Sequence, residues 1–193
     1  MTGVILCGGQ STRMGTDKGM LKLQAGTWAQ TAVDKMAALP LPVMLSVNEE
    51  QYDAYSAVFK SDLLVKDNET IDVKGPLRGV LSVHAQDPAA NLFILACDMP
   101  LMEASVLKQL LNFCENQDGD AFVFTNDGAY EPLCGIYTAR ALARILHLQK
   151  TKQLAKYSMK YVLEQLTTIS IALNEDQKKY FRNFNAHAEL NGL

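Results

Sequence analysis

The chain is expected to fold as a three-layer α/β structure around a mostly parallel central sheet, with one antiparallel excursion. Three features predict this. Apolar runs without alternation, Val43-Met44-Leu45-Ser46-Val47 and Leu92-Phe93-Ile94-Leu95-Ala96-Cys97, suit strands covered on both faces. Segments of helical periodicity separate them, the pattern of βαβ units. Asn126-Asp127-Gly128, between Ala121–Thr125 and Leu133–Tyr137, has the turn chemistry of a tight β-ribbon.

Taken in order, Gly3-Val4-Ile5-Leu6-Cys7 is a first buried strand. It empties into Gly8-Gly9-Gln10-Ser11-Thr12-Arg13-Met14-Gly15-Thr16-Asp17-Lys18. Glycines let a backbone turn sharply and present N–H groups to a polyphosphate, and nearby cations neutralise the remaining charge. The loop is neither a Walker A loop, since no hydroxyl follows Lys18, nor a Gly-x-Gly-x-x-Gly fingerprint, since glycines 8, 9 and 15 miss that spacing. The plain alternative is a strand-to-helix turn carrying two surface cations.

A helix from Trp28 to Leu39 follows, with Ala29, Val33, Met36 and Ala37 on one face, ended by Pro40 and Pro42. The strand at 43–47 then closes a right-handed parallel unit. Residues 50–58 form a short helix and Leu63–Val65 a short strand. The polar stretch from Asp67 to Lys74 reads as a mobile loop, ending at Gly75-Pro76-Leu77-Arg78-Gly79, after which Val80, Leu81 and Val83 begin a helical face. The strand at 92–97 is the most hydrophobic and runs straight into Asp98. Helices at 104–115, 139–148 and 153–166, and a strand at 169–173, complete the chain. No repeat or linker interrupts it, so residues 1–193 are expected to form a single domain.

Composition narrows the function. At 193 residues the chain can bury roughly 70% of its unfolded surface. A net charge of −3 without a Lys/Arg block argues against nucleic acid or anionic membrane as partner. Cys7, Cys97, Cys114 and Cys134 are widely spaced in apolar surroundings, as reduced core residues are. No run reaches transmembrane length and the N-terminus lacks a secretory pattern, so a cytoplasmic location is expected.

Asp98 is the sharpest single candidate. In an open parallel sheet, ligands bind beyond the carboxyl ends of the strands, where a lone carboxylate can hold Mg²⁺ between phosphate oxygens. Its alternative role, capping the helix near Glu103, is weakened by their five-residue separation. His84, His147 and His187 are isolated, which disfavours zinc. Ser11 and Ser46 lack a partner base and acid in the sequence. The Tyr157/Tyr161 pair and the eight methionines read as packing residues.

Gly8-Gly9, Arg13-Met14-Gly15 and Asp17-Lys18 together resemble the signature loop of nucleotidyltransferases that activate sugar phosphates, and within them the molybdenum cofactor guanylyltransferases. Cys7 stands where that family usually has alanine. Cys97-Asp98-Met99-Pro100 is similar to the family's metal-binding step, and Gly75-Pro76-Leu77-Arg78-Gly79 to its Gly-Pro-Leu-Ala-Gly, with Arg78 replacing alanine. Arg78 either meets phosphate or cofactor, or points to solvent. Asn48 and Asp67 match nucleotide-side positions, though both residue types also form turns. Glu131-Pro132-Leu133 resembles a segment facing the acceptor. Asn183 and Asn185 match an Asn-x-Asn pair, but the following Ala186-His187-Ala188 departs from the family's Thr-Pro continuation.

The resemblance implies a Rossmann-like nucleotidyltransferase fold. It further implies transfer of GMP from GTP to the terminal phosphate of molybdenum-molybdopterin, with Mg²⁺ as cofactor. Arg13, Lys18 and Asp98 would be catalytic, with Asp98 the metal ligand. Leu6, Gly8, Gly9, Lys18, Asn48, Asp67, Gly75, Pro76, Leu77, Asp98, Asn183 and Asn185 would line the nucleotide and cofactor site, and Asp17 would orient the loop. A transient molybdoenzyme or cofactor-delivery partner is implied by the lability of such a product. The alternatives are a cytidylyltransferase, a sugar-phosphate nucleotidyltransferase, or a non-catalytic nucleotide-binding or delivery protein. The choice between guanine and cytosine does not follow from the residues.

Overall fold

The computed structural model describes residues 1–8, 17–23, 26–182 and 184. The candidates Gly9, Arg13, Asn183 and Asn185 lie outside the described residues. The elements run β1 (Thr2–Leu6), β2 (Lys22–Leu23), β3 (Gly26–Thr27), α1 (Trp28–Ala37), β4 (Val43–Val47), α2 (Glu49–Ser56), β5 (Leu64–Lys66), α3 (Pro76–Gln86) and β6 (Leu92–Ala96). The second half contains α4 (Ala104–Cys114), β7 (Ala121–Asn126), β8 (Ala129–Tyr137), α5 (Ala139–Lys150), α6 (Met159–Glu164), β9 (Thr168–Ala172) and α7 (Glu175–Lys178).

A seven-stranded sheet of order β5-β4-β1-β6-β8-β7-β9 forms the middle layer. β5, β4, β1 and β6 run parallel, and β8 is antiparallel to both of its neighbours. β9 returns parallel to β7. This is the expected Rossmann-like architecture with its antiparallel excursion. The unalternating strands are explained by their two faces. Ile5, Phe93 and Leu95 enter one core with Met36, Tyr55 and Leu107, while Val4, Leu6, Leu92 and Ile94 enter the opposite core with Leu77, Leu81 and Leu142. Successive strand side chains thus alternate between two apolar layers.

The ribbon turns at Asp127 and Gly128, with φ of 48° and 80°. Both central residues are left-handed, as a tight hairpin matching the strand twist requires. Toward the sheet's end the β7–β8 pairing steps from Val123 opposite Gly135 to Phe124 opposite Glu131. Pro132, which has no N–H for the ladder, falls within this bulge.

Three expectations need correction. The stretch from Asp67 to Lys74 is held down, because Ile71 and Val73 are buried in the core around α3. Two apolar side chains in a polar stretch anchor it without creating a periodic signal. The helix expected at 153–166 is confined to Met159–Glu164. Lys152 has φ 58° after the end of α5, Leu154 is buried, and Ser158 caps the new helix by accepting from the Tyr161 N–H. Tyr157 consequently precedes α6 and is an exposed residue, which removes the helical Tyr157/Tyr161 packing pair.

Candidate active site

The carboxyl ends of the four parallel strands bring the described candidates together. The ladder continues past the strand ends: the Cys7 N–H donates to Ser46 O, Cys97 N–H to Leu6 O, and Asp67 N–H to Val47 O, at 3.0, 3.1 and 2.9 Å. Gly8, Asn48, Asp67 and Asp98 therefore emerge side by side. β4 and β6 flank β1 on opposite sides, so the point where the connectivity reverses lies beside β1, where such sheets bind ligands.

A cleft of about 480 Å³ lies over the ends of β1, β4 and β5. Leu6, Gly8, Asn48, Asp67, Gly75 and Pro76 line it, and so do Ser46, Glu69, Lys74, Arg78 and Gly79. Asn48 is also the N-cap of α2, its Oδ1 accepting from the Gln51 N–H at 2.9 Å. Gly75 has φ 72° and ψ −160° at the entry to α3, with Pro76 in the first helical position. A side chain there would meet no neighbour within 4 Å, so the backbone conformation itself asks for glycine. Leu77 does not line the cleft. It is fully buried on the core face of α3, in the cluster that includes Val4, Leu6, Ile71 and Val73, so its side chain is structural.

Arg78 neither points simply to solvent nor merely replaces a small residue. Its Nε donates to Val73 O at 2.8 Å, which ties the 67–74 loop to α3, and its charge favours the ionised form of Asp67. Burial pushes the Asp67 carboxyl above its ordinary range, while the charge of Arg78 opposes that rise. The geometry leaves both Ser46 Oγ and Asp67 Oδ1 without a hydrogen-bond partner among the described residues. Gly79 makes room for them, since a Cβ there would overlap Ser46 Oγ.

The cleft does not extend to Lys18 and Asp98. These lie one strand further on, at the β1–β6 edge, with Lys18 Nζ 3.7 Å from Asp98 Oδ2. Adjacent strands are about 4.8 Å apart, within the span of one nucleoside triphosphate. Burial pushes the Asp98 carboxyl upward and Lys18 pulls it back. Asp98 Oδ1 is buried without a hydrogen-bond partner among the described residues. Those residues also contain no cluster of three or more His, Cys, Asp or Glu suited to a metal. One carboxylate with an unsatisfied oxygen does not make a protein cage. It does fit Mg²⁺, which takes most of its ligands from phosphate oxygens and water.

Asp17 orders the exit from the loop. It accepts from Gly19 N–H at 2.9 Å, from Gln51 Nε2 at 2.7 Å and from the Tyr55 hydroxyl at 3.2 Å, capping the 3₁₀ turn that begins at Lys18. Three donors leave it an acceptor with a structural task. Gln51 and Tyr55 were not among the sequence candidates. The spacing Asn48-x-x-Gln51 carries a helix-capping signal, but nothing local announces the contact with Asp17. On the far side, Glu131 sits on β8 with Asn126 Nδ2 donating to it at 3.3 Å. Burial raises its carboxyl, and Asn126 and Lys160 counter the rise.

Residues 3–169 match the MobA-like NTP transferase domain family. The chain is 29% identical over 171 residues to a probable molybdenum cofactor guanylyltransferase from Geobacillus sp. strain WCH70, covering 86% of this chain and 87% of that one. It is 27% identical to a probable molybdenum cofactor guanylyltransferase from Flavobacterium johnsoniae, over 100% of this chain and 96% of the relative. The crystal structure of molybdopterin-guanine dinucleotide biosynthesis protein A from Archaeoglobus fulgidus superposes with a TM-score of 0.78 at 20% identity. That match covers 100% of this chain and 96% of the other, and at such identity it speaks for the fold.

Proposed function

We propose that this chain, which belongs to the family of MobA-like NTP transferase domains, transfers GMP from GTP to the terminal phosphate of molybdenum-molybdopterin. The observation that carries this reading is the Lys18–Asp98 pair at the β1–β6 edge, 3.7 Å apart and adjoining the cleft. The names of the Geobacillus and Flavobacterium relatives support GTP and the pterin acceptor as substrates.

In this mechanism the nucleoside occupies the cleft beside Asn48 and Asp67, and the triphosphate runs across Gly8 toward Lys18. The terminal phosphate of the acceptor is largely ionised near neutral pH, so its oxygen attacks without a general base. A bond forms from that oxygen to the α-phosphorus as the bond from the α-phosphorus to its bridging oxygen breaks. Pyrophosphate leaves with the electron pair. Lys18, assisted by Arg13 of the loop, neutralises charge building on the α-phosphate and the departing pyrophosphate. Asp98 would hold Mg²⁺, which supplies charge neutralisation and alignment of the two phosphates. The fixed strands hold the reacting groups in line. A molybdoenzyme or cofactor-delivery protein would then receive the labile dinucleotide product.

The test is pyrophosphate release from GTP, CTP and ATP with Mg²⁺, each with and without molybdopterin and molybdate. Release from GTP only when the pterin is present supports the reading. Release from CTP alone replaces the base, and release only with a sugar phosphate replaces the acceptor. Nucleotide binding without release under any condition makes the chain a binding or delivery protein.

A further inference from the structure

Both ends of the glycine-rich loop are gripped by one buried carboxamide. Gln51, in the first turn of α2, is 8% exposed. Its Nε2 donates to Cys7 O at 2.9 Å, where the chain leaves β1, and to Asp17 Oδ2 at 2.7 Å, where the chain returns. Its Oε1 accepts from the Asn48 N–H at 3.1 Å, completing a capping box. Each polar atom of the side chain is thereby used. Tyr55, one turn further along α2, reaches Asp17 Oδ1 through its hydroxyl. Gly19 permits that reach, since a Cβ there would overlap the Tyr55 hydroxyl.

We propose that Gln51, supported by Tyr55, is a positioning residue for nucleotidyl transfer: it clamps the entry and exit of the loop, sets Lys18 opposite Asp98, and ties both to Asn48 in the cleft. The inference rests on the activity proposed above. A helix cap alone requires only the Oε1 contact. The two donations from Nε2 serve the loop, which otherwise would have to be closed at an entropic cost. Asp17 passes the constraint on through the turn at Gly19 and Met20, whose N–H groups donate to Asp17 Oδ1 and Asp17 O.

Gln51→Glu separates the two roles. The introduced carboxylate still accepts from Asn48 N–H and suits a helix N-terminus. It cannot donate, and it sets negative charge against Asp17 and Cys7 O. In the full chain, with wild type assayed alongside, kcat is expected to fall by about tenfold or more while KM for GTP stays within about threefold. Asp17→Asn combined with Gln51→Glu exchanges amide and carboxylate and should recover part of the loss. A structural cap gives no reason for such a rescue. Amide exchange at Gly19 and Met20 should accelerate about tenfold with the sheet unchanged.

Equal kcat and equal exchange in variant and wild type overturn the inference. If the wild type releases no pyrophosphate with any acceptor, the proposed activity fails. Exchange then decides the inference alone: faster exchange upholds the clamp and unchanged exchange rejects it. Should Gln51→Glu not fold, Tyr55→Phe removes one donor to Asp17 while keeping the ring stacked on Phe59, with centroids 5.9 Å apart. The same readouts then decide.

Discussion

Two partly buried aspartates in this site have different cationic neighbours. Asp98 lies beside Lys18, whereas the carboxyl of Asp67 is held down by the charge of Arg78 against the effect of burial. Lys18 is the residue whose removal should cost most in the transition state. Lys18→Ala is expected to lose about 2–4 kcal/mol of transition-state stabilisation, a value seen when one preorganised charge or donor is deleted. A decrease in kcat/KM below about tenfold would place Lys18 outside the reacting centre. Asp67 offers a test by stability. Its carboxyl is raised above its unfolded value by burial, so protonated Asp67 favours folding and ionised Asp67 disfavours it. The associated stability is present below the unfolded pKa, about 3.9, and is lost as pH rises through the folded one. Urea unfolding of Asp67→Asn should therefore show the variant gaining on wild type with rising pH across that window. A pH-independent difference would contradict the assignment.

At the scale of elements, apolar runs were more legible than the places where helices begin and end. β4 at Val43–Val47 and α4 at Ala104–Cys114 follow closely from apolar pattern and flanking residues. α6 does not, because the tertiary burial of Leu154 and the cap at Ser158 override the helical propensity of the residues between them. The fixed loop at 67–74 was hidden for the same reason: its anchors, Ile71 and Val73, matter only against α3. Gly75 was legible only as part of a family-like segment, and its φ of 72° assigns it a conformational role. Gly75→Ala should destabilise the chain by about 1–3 kcal/mol through backbone strain alone, measurable by urea unfolding, with weaker GTP binding as α3 shifts. Unchanged stability would mean that the entry to α3 relaxes freely.

Across the whole molecule, sequence pattern supplied the layers but not the order of the strands. The ribbon at Asp127-Gly128 was evident, yet its insertion so that β8 lies between β6 and β7, with β9 beyond, depends on pairings far apart in the chain. Asp98 was visible because it follows the most apolar strand, whereas Asn48 and Asp67 stood out through the family resemblance alone. Gln51 and Tyr55 were not visible, because their work is done by contacts 34 and 38 residues away. The sheet places a cleft on one side of β1 and the Lys18–Asp98 pair on the other. Binding and turnover should therefore be separable. The most direct measurement is GTP affinity and single-turnover rate for Asp98→Asn, which keeps shape and removes charge. The expected result is a GTP Kd within about tenfold of wild type and a rate lower by about a hundredfold or more. Turnover equal to wild type in limiting Mg²⁺ would contradict the assignment of Asp98 to the reacting centre.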